Sequence, residues 1–105
     1  MKTRVVHVLH APYDVYIGRY VPATRTHRQF NRSRFENPYE IGVDGTAQKV
    51  IETFRRYMKT RPDLVMAARH ELAGKVLGCW CKGPKEKDAP CHGDVLAAIA
   101  NDEEW

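Results

Sequence analysis

The chain has 105 residues, of which 43% are hydrophobic and 29% charged, and its formal net charge is +4 at pH 7. A chain of this size and composition forms one hydrophobic core, so we expect a single domain over residues 1–105. No apolar run approaches the roughly 20 residues of a membrane-spanning helix, so we expect no membrane partner. The first residues lack the apolar core of a signal peptide, so we expect a cytoplasmic protein whose thiols stay reduced.

Three segments have the composition of β-strands. Residues 4–10 contain a β-branched run, residues 15–17 form a short apolar run, and residues 76–80 are apolar without a charged side chain. Each of these patterns predicts a strand. Residues 20–39 show no sustained hydrophobic period and are rich in polar side chains, which predicts a long loop.

Three other segments have helical periodicity. Apolar residues at steps of three and four predict a helix over residues 47–58, with Asp44 or Thr46 as its N-cap. A second helix is expected to begin at Pro62 and to stop at Gly74. A third is expected to start within residues 91–94.

The order of these elements places two helices between strands, which requires at least one parallel crossover. The pattern therefore predicts the α/β class, as a small three-layer (Rossmann-like) domain with a short, mainly parallel sheet. In such folds, ligands bind at the carboxyl ends of the strands. We expect the segment 82–90 to return the chain from the last strand to the start of the last helix.

All three cysteines lie between residues 79 and 91, and a histidine follows the last of them. Strand alternation places Cys79 and Cys81 on the same side of the sheet. Zinc takes four nitrogen or sulfur ligands, so the sequence predicts a zinc site formed by Cys79, Cys81, Cys91 and His92. The alternative is that Cys79 is a small buried apolar residue and that the other three line a metal-free pocket.

Cys91 and His92 also suggest a reactive thiol. A helix dipole stabilises a thiolate at the helix N-terminus, and a nearby imidazole can act as its base. Adjacent residues rarely face each other, however, which argues against this pair. Whether the protein is an enzyme therefore stays open.

Residues 19–35 contain five arginines and no acidic side chain. Four of them, Arg25, Arg28, Arg32 and Arg34, alternate with aromatic residues in a pattern suited to phosphates and stacked bases. The alternative is a solvated loop whose aromatic residues reach the core.

Arg19 follows a strand, and residues 91–94 begin a helix that follows another strand. In a parallel sheet these two ends meet at one edge, where helix N-termini present unpaired amides. We therefore expect Arg19 and residues 91–94 to face one cavity and to share one anionic ligand. Asp94 opposes this arrangement unless it points away or accepts a hydrogen bond from the ligand.

The chain resembles a family of small phage and bacterial proteins known only as a domain of unknown function. The resemblance is carried by these blocks: Tyr16-Ile17-Gly18-Arg19, Asn37-Pro38-Tyr39, Gly74-Lys75-x-Leu77-x-Cys79-Trp80-Cys81 and Cys91-His92-Gly93-Asp94. It implies an α/β pocket and no particular reaction. The implied pocket residues are Arg19, Asn37, Cys81, Cys91, His92 and Asp94.

Our first hypothesis of function is a binding module for a nucleotide-like, phosphate-bearing small molecule, in a phage-encoded setting. The second is a zinc-stabilised nucleic-acid-binding protein that uses the arginine-rich loop. The third is an enzyme of nucleotide or base metabolism.

Overall fold

The computed structural model describes residues 1–40, 42–81 and 90–105. Most of the predicted return segment 82–90 lies outside these described residues. The elements in chain order are β1 (Arg4–His7), β2 (Val15–Tyr16), α1 (Ala47–Lys59), α2 (Pro62–Glu71), β3 (Val76–Cys79) and α3 (His92–Ala100).

The three strands form one sheet in the order β1-β3-β2, and both pairings are parallel. β3 is the central strand and all four of its residues are buried, as expected for a strand covered on both faces. The predicted α/β class with a parallel sheet is therefore confirmed. All three strand ends meet at one edge of this sheet.

β1 is shorter than the sequence predicts. It ends at His7, because the chain then turns and the amide of His10 donates to the carbonyl oxygen of His7 at 3.1 Å. The two imidazole rings lie 4.5 Å apart on this turn. The prediction of a strand to residue 10 is therefore wrong for its last three residues.

The helices begin close to their predicted positions. Thr46, and not Asp44, is the N-cap of α1, since its hydroxyl accepts from the amide of Lys49 at 3.3 Å. α2 begins at Pro62 and ends at Glu71, three residues before Gly74, whose φ of 71° turns the chain towards β3. None of the helices in the described ranges is both long enough and apolar enough to cross a bilayer.

The helices lie in a definite order relative to the sheet. α3 contacts the strands, whereas α1 and α2 contact α3 and each other. Close to the central strand, a side chain added at Gly78 would meet the ring of Tyr13 at 2.7 Å and Val8 at 2.9 Å. Only glycine therefore lets these side chains approach β3 so closely.

The first turn of α3 lies directly against the sheet. A Cβ atom added at Gly93 would stand 2.8 Å from Cδ1 of Ile17 and 3.0 Å from both methyl groups of Val5. Ile17 is fully buried. Glycine at this position therefore sets how closely α3, and with it Cys91 and His92, approaches the strand ends.

We expect Gly93→Ala to destabilise the fold by about 1–3 kcal/mol, because overpacking outweighs the ~1 kcal/mol that alanine gains in helix propensity. Denaturant unfolding measures this change. Gln48→Ala, at an exposed position of α1, is the control and stays within about 0.5 kcal/mol. A Gly93→Ala protein as stable as the wild type would contradict the close packing of α3.

Candidate functional site

A cavity of about 350 Å³ opens beside the ends of β2 and β3. Four of the six predicted ligand residues line it: Arg19, Asn37, Cys81 and His92. The other two, Cys91 and Asp94, line a neighbouring depression beside α1. Arg19 and His92, at the start of α3, therefore line the same cavity. Asp94, in the same helix turn, lines the neighbouring depression instead.

Arg19 holds one wall of this cavity. Its Nη2 donates to the carbonyl oxygens of Asn37 at 3.0 Å and Tyr39 at 2.5 Å. Its Nη1 lies 3.7 Å from Oε2 of Glu40. Because these contacts tie one guanidinium to three residues of the segment 37–40, Arg19 shapes the wall and also presents positive charge to the cavity.

Asn37 is buried and acts within the same wall. Its side-chain oxygen accepts from the amide of Tyr39 at 2.9 Å, which closes a tight turn around Pro38. The amide side chain thus stabilises the turn whose carbonyls Arg19 holds. This contact accounts for a polar residue at a buried position.

Trp80 forms part of the cavity wall that the sequence analysis did not identify. Its Nε1 donates to the hydroxyl of Tyr16 at 2.9 Å, and that hydroxyl donates to the carbonyl oxygen of Arg19 at 2.6 Å. Burial raises the pKa of Tyr16, so the hydroxyl keeps its proton for this chain of bonds. The position of Trp80 in the sequence indicates this role, since it directly follows a buried strand and lies between two cysteines.

An aromatic cluster surrounds Trp80 on the side of the long loop. The rings of His7, His27 and Phe30 lie 5.2–5.5 Å from it in edge-on arrangements. Such contacts fix ring orientation and contribute roughly 0.5–1.5 kcal/mol each beyond area burial. Aromatic packing thus holds the loop against the end of the sheet. The polar composition of the loop does not predict this contact.

The sulfur atoms of the three cysteines lie within 4.8 Å of one another. Cys79 ends β3, Cys81 follows it on the same side as alternation predicts, and Cys91 comes from the start of α3. The sulfurs of Cys79 and Cys91 are 2.9 Å apart, and none of the three cysteines forms a disulfide. The sequence predicts that these three cysteines come together, and their sulfur atoms do so although Cys79 and Cys91 are 12 residues apart in the chain.

Cys91 is the N-cap of α3. Its sulfur accepts from the amide of Gly93 at 3.3 Å, and its carbonyl accepts from the amide of Asp94 at 2.9 Å. The sequence predicts that the backbone amides of this turn bind an anionic ligand. In the structure these two amides have partners within the turn itself.

His92 is buried, with 6% of its surface exposed. Its Nε2 lies 2.8 Å from the carbonyl oxygen of Ile17. Because a carbonyl oxygen only accepts, Nε2 carries the proton, and burial lowers the pKa of His92 so that the ring is neutral. The unprotonated Nδ1 then lies 3.9 Å from the sulfur of Cys91.

The thiols titrate as a unit. Hydrogen bonds from Cys81 and Cys91 hold the pKa of Cys79 far below that of an ordinary thiol, and the contact with Cys79 raises the pKa of Cys91. Of the two touching thiols, Cys79 is therefore the one that loses its proton more readily. A thiolate is both a soft metal ligand and a nucleophile.

This donor set fits a soft metal ion. Thiolates on tetrahedral zinc lie about 3.8 Å apart, so Cys79 and Cys91 are closer together than zinc requires and would separate by about 0.9 Å. His92 has the arrangement of a metal-binding histidine, because one ring nitrogen is held by a backbone carbonyl and the other is left as a donor. Among the described residues, the three cysteines form one group that could hold a metal ion, and His92 is not part of it. Its Nδ1 approaches the group only at the sulfur of Cys91, at 3.9 Å.

The arginine-rich loop is partly neutralised by neighbouring acids. Arg32 forms an ion pair with Glu36, and Arg34 forms one with Glu71 of α2. Arg28 donates to the hydroxyl of Tyr13 at 2.7 Å and lies over the ring of Phe30.

Arg25 is exposed between the two residues, Val21 and Phe30, that form an antiparallel bridge within the loop. The positive charge of residues 19–35 is thus smaller than their arginine count suggests, since three carboxylates from outside this segment, those of Glu36, Glu40 and Glu71, offset it.

Comparison with known proteins identifies relatives in viruses. The chain is 36% identical over 89 residues to an uncharacterized protein of Acanthamoeba polyphaga mimivirus, covering 82% of this chain and 65% of that protein. It is 37% identical over 75 residues to an uncharacterized 12.4 kDa protein from the nrdA-td intergenic region of Enterobacteria phage T4, covering 68% of this chain and 64% of the relative.

The chain therefore spans a little under two thirds of the length of these relatives. No solved structure shows a significant match. A family model described as a domain of unknown function, DUF4326, matches residues 2–102. This match covers nearly the whole chain, and the chain belongs to the DUF4326 family.

Proposed function

We propose that this protein binds a nucleotide-like, phosphate-bearing small molecule in the cavity at the strand ends. The observation that carries the proposal is the presence of a guanidinium, that of Arg19, in a cavity otherwise lined largely by apolar and aromatic side chains. Pockets of this kind and size accept small molecules and use a few polar groups to orient them. The C-terminal edge of a parallel sheet is also where α/β folds bind ligands.

The proposal gives separate roles to the two chemical parts of the ligand. The phosphate pairs with the Arg19 guanidinium, whose planar fork suits phosphate oxygens. The base packs against the aromatic wall, which includes Tyr39 and Trp80. Glu40 opposes phosphate binding because it lies 3.7 Å from the same guanidinium, but it is 60% exposed and can turn into solvent.

The thiol cluster supplies the second part of the proposal, in which the bound metal is zinc. Thiolates and a neutral imidazole are the ligands that zinc prefers, and His92 Nδ1 would complete the set formed by Cys79, Cys81 and Cys91. Bound zinc would stabilise the fold by joining the end of β3 to the start of α3. A reducing compartment such as the cytosol keeps these thiols available, and a phage or viral host cell provides one.

We expect Arg19→Ala to weaken the binding of nucleoside phosphates by roughly 10- to 150-fold, the range for a lost hydrogen bond to a charged group. Titration calorimetry with a panel of nucleoside mono- and diphosphates measures this. Since Arg19 also holds the carbonyls of Asn37 and Tyr39, this variant loses stability too. A second variant is therefore needed.

Glu40→Gln provides that variant, because it removes the competing carboxylate and leaves the bonds of Arg19 to the carbonyl oxygens of Asn37 and Tyr39 intact. We expect binding of the same nucleotides to tighten by about two- to fivefold, with the gain shrinking at high salt. Glu104→Gln, exposed near the C-terminus, is the control for the loss of one negative charge. Absence of binding by every nucleotide in the panel to the wild type at low salt would refute the proposal.

Zinc is tested separately by elemental analysis of protein purified without chelator. We expect about one equivalent of zinc, a lower melting temperature after chelation, and loss of the metal in Cys79→Ser and Cys91→Ser. Ala98→Ser, also a small substitution in α3, is the control and keeps its zinc. Less than a tenth of an equivalent, together with a melting temperature that chelator leaves unchanged, would exclude a structural zinc.

A further inference from the structure

Two of the three thiols are much closer to each other than packing requires. The sulfur atoms of Cys79 and Cys91 lie 2.9 Å apart, and a disulfide bond is about 2.05 Å long. A shift of roughly 0.9 Å would therefore bring them to bonding distance. The two residues belong to different elements, β3 and the N-cap of α3, so the pair bridges the sheet and the helix.

We propose that Cys79 and Cys91 form an oxidation-sensitive pair that a hydroperoxide converts to a disulfide. This modification is separate from nucleotide binding and takes place in the metal-free protein, because it uses two of the thiols of the proposed zinc site. Its readout is a covalent bond, so it succeeds or fails independently of nucleotide binding.

The cavity gives a small oxidant access to the pair. Cys79 and Cys81 both line it, although the residue Cys79 is only 1% exposed. Cys91 borders the neighbouring depression and is fully buried. Hydrogen peroxide is about the size of two water molecules and can enter, whereas a bulky disulfide reagent meets only the partly exposed Cys81.

The reaction balances with hydroperoxide as the oxidant. The Cys79 thiol releases its proton and its sulfur attacks the terminal peroxide oxygen. The O–O bond breaks, the sulfur becomes a sulfenic acid, and an alcohol or water leaves after taking up the released proton. The Cys91 sulfur then attacks the sulfenic sulfur, water leaves with the proton of the Cys91 thiol, and the disulfide forms. Two thiols are oxidised and one peroxide is reduced.

Cys91 is the resolving thiol because of its position. It lies 2.9 Å from Cys79, and its own sulfur is held towards the first turn of α3 by the amide of Gly93. Cys81 also lies within 4.8 Å of both sulfurs and is the competing partner. A disulfide between Cys79 and Cys91 would remove two of the three thiols from any metal, so oxidation and metal binding exclude each other.

Peptide mapping must distinguish a disulfide at Cys79 from a disulfide at Cys81. Trypsin leaves both cysteines in one peptide, residues 76–82, and Cys91 in another, residues 88–105. A cross-linked pair of these peptides therefore does not identify the cysteine by mass alone. Single cysteine-to-serine variants make the assignment.

The experiment treats reduced protein with stoichiometric hydrogen peroxide, with and without prior chelation, and analyses it by non-reducing mass spectrometry. We expect a loss of 2 Da and a cross-link between peptides 76–82 and 88–105, as two hydrogens leave per disulfide. Cys81→Ser is the matched control and keeps the cross-link. Cys79→Ser and Cys91→Ser lose it, and Cys91→Ser accumulates sulfenic or sulfinic acid at Cys79.

Protein oxidised while unfolded in guanidinium is the reference. In the unfolded chain, the mixture of disulfide pairings depends only on how far apart the cysteines are along the chain. The proposal is overturned if Cys81→Ser abolishes the cross-link while Cys79→Ser keeps it. It is also overturned if the folded protein gives the same mixture as the unfolded chain, or if peroxide leaves all three thiols reduced.

Discussion

The close approach of α3 to the sheet determines the rest of this structure. Only a hydrogen atom at Gly93 fits between the helix and the side chains of Val5 and Ile17. This approach places His92 within 2.8 Å of the carbonyl oxygen of Ile17 and Cys91 within 2.9 Å of Cys79. The cavity wall and the thiol cluster are thus two consequences of one packing constraint.

Burial of the thiols and the imidazole makes their polar contacts specific. His92 has a defined tautomer because its Nε2 donates to the carbonyl oxygen of Ile17, and its ring is neutral because burial lowers its pKa. Cys79 and Cys91 are in direct contact, with their sulfur atoms 2.9 Å apart. Low polarity around a charged sulfur strengthens each of these contacts and makes an unmatched one costly. The proposed metal binding and the proposed thiol oxidation would use the same cysteines.

The cavity and the long loop show how a short sheet is closed at its end. A sheet of three strands with two to four residues each has little surface of its own. Arg19 closes one side by holding the segment 37–40, and Trp80 anchors the loop through Tyr16 and Phe30. Loops positioned by a rigid sheet edge are where α/β proteins carry function.

The sequence by itself determined the fold class, the helix starts and the side of the sheet on which Cys79 and Cys81 lie. These features follow from local periodicity, from proline and threonine at helix starts, and from strand alternation. The stop of β1 at His7 could not be predicted, because the residues that follow have strand composition and the turn depends on local hydrogen bonds.

Only the tertiary structure decided which residues meet. The pairing of Arg34 with Glu71 needs the packing of the loop against α2, whereas Arg32 and Glu36 pair within one short segment. The separation of Asp94 from Arg19 depends on the rotation of α3. Helical periodicity fixes which residues share a face, but the direction of that face is set by contacts distant in the chain. The thiol cluster likewise exists only because glycine at position 93 lets α3 approach the strand that Cys79 ends.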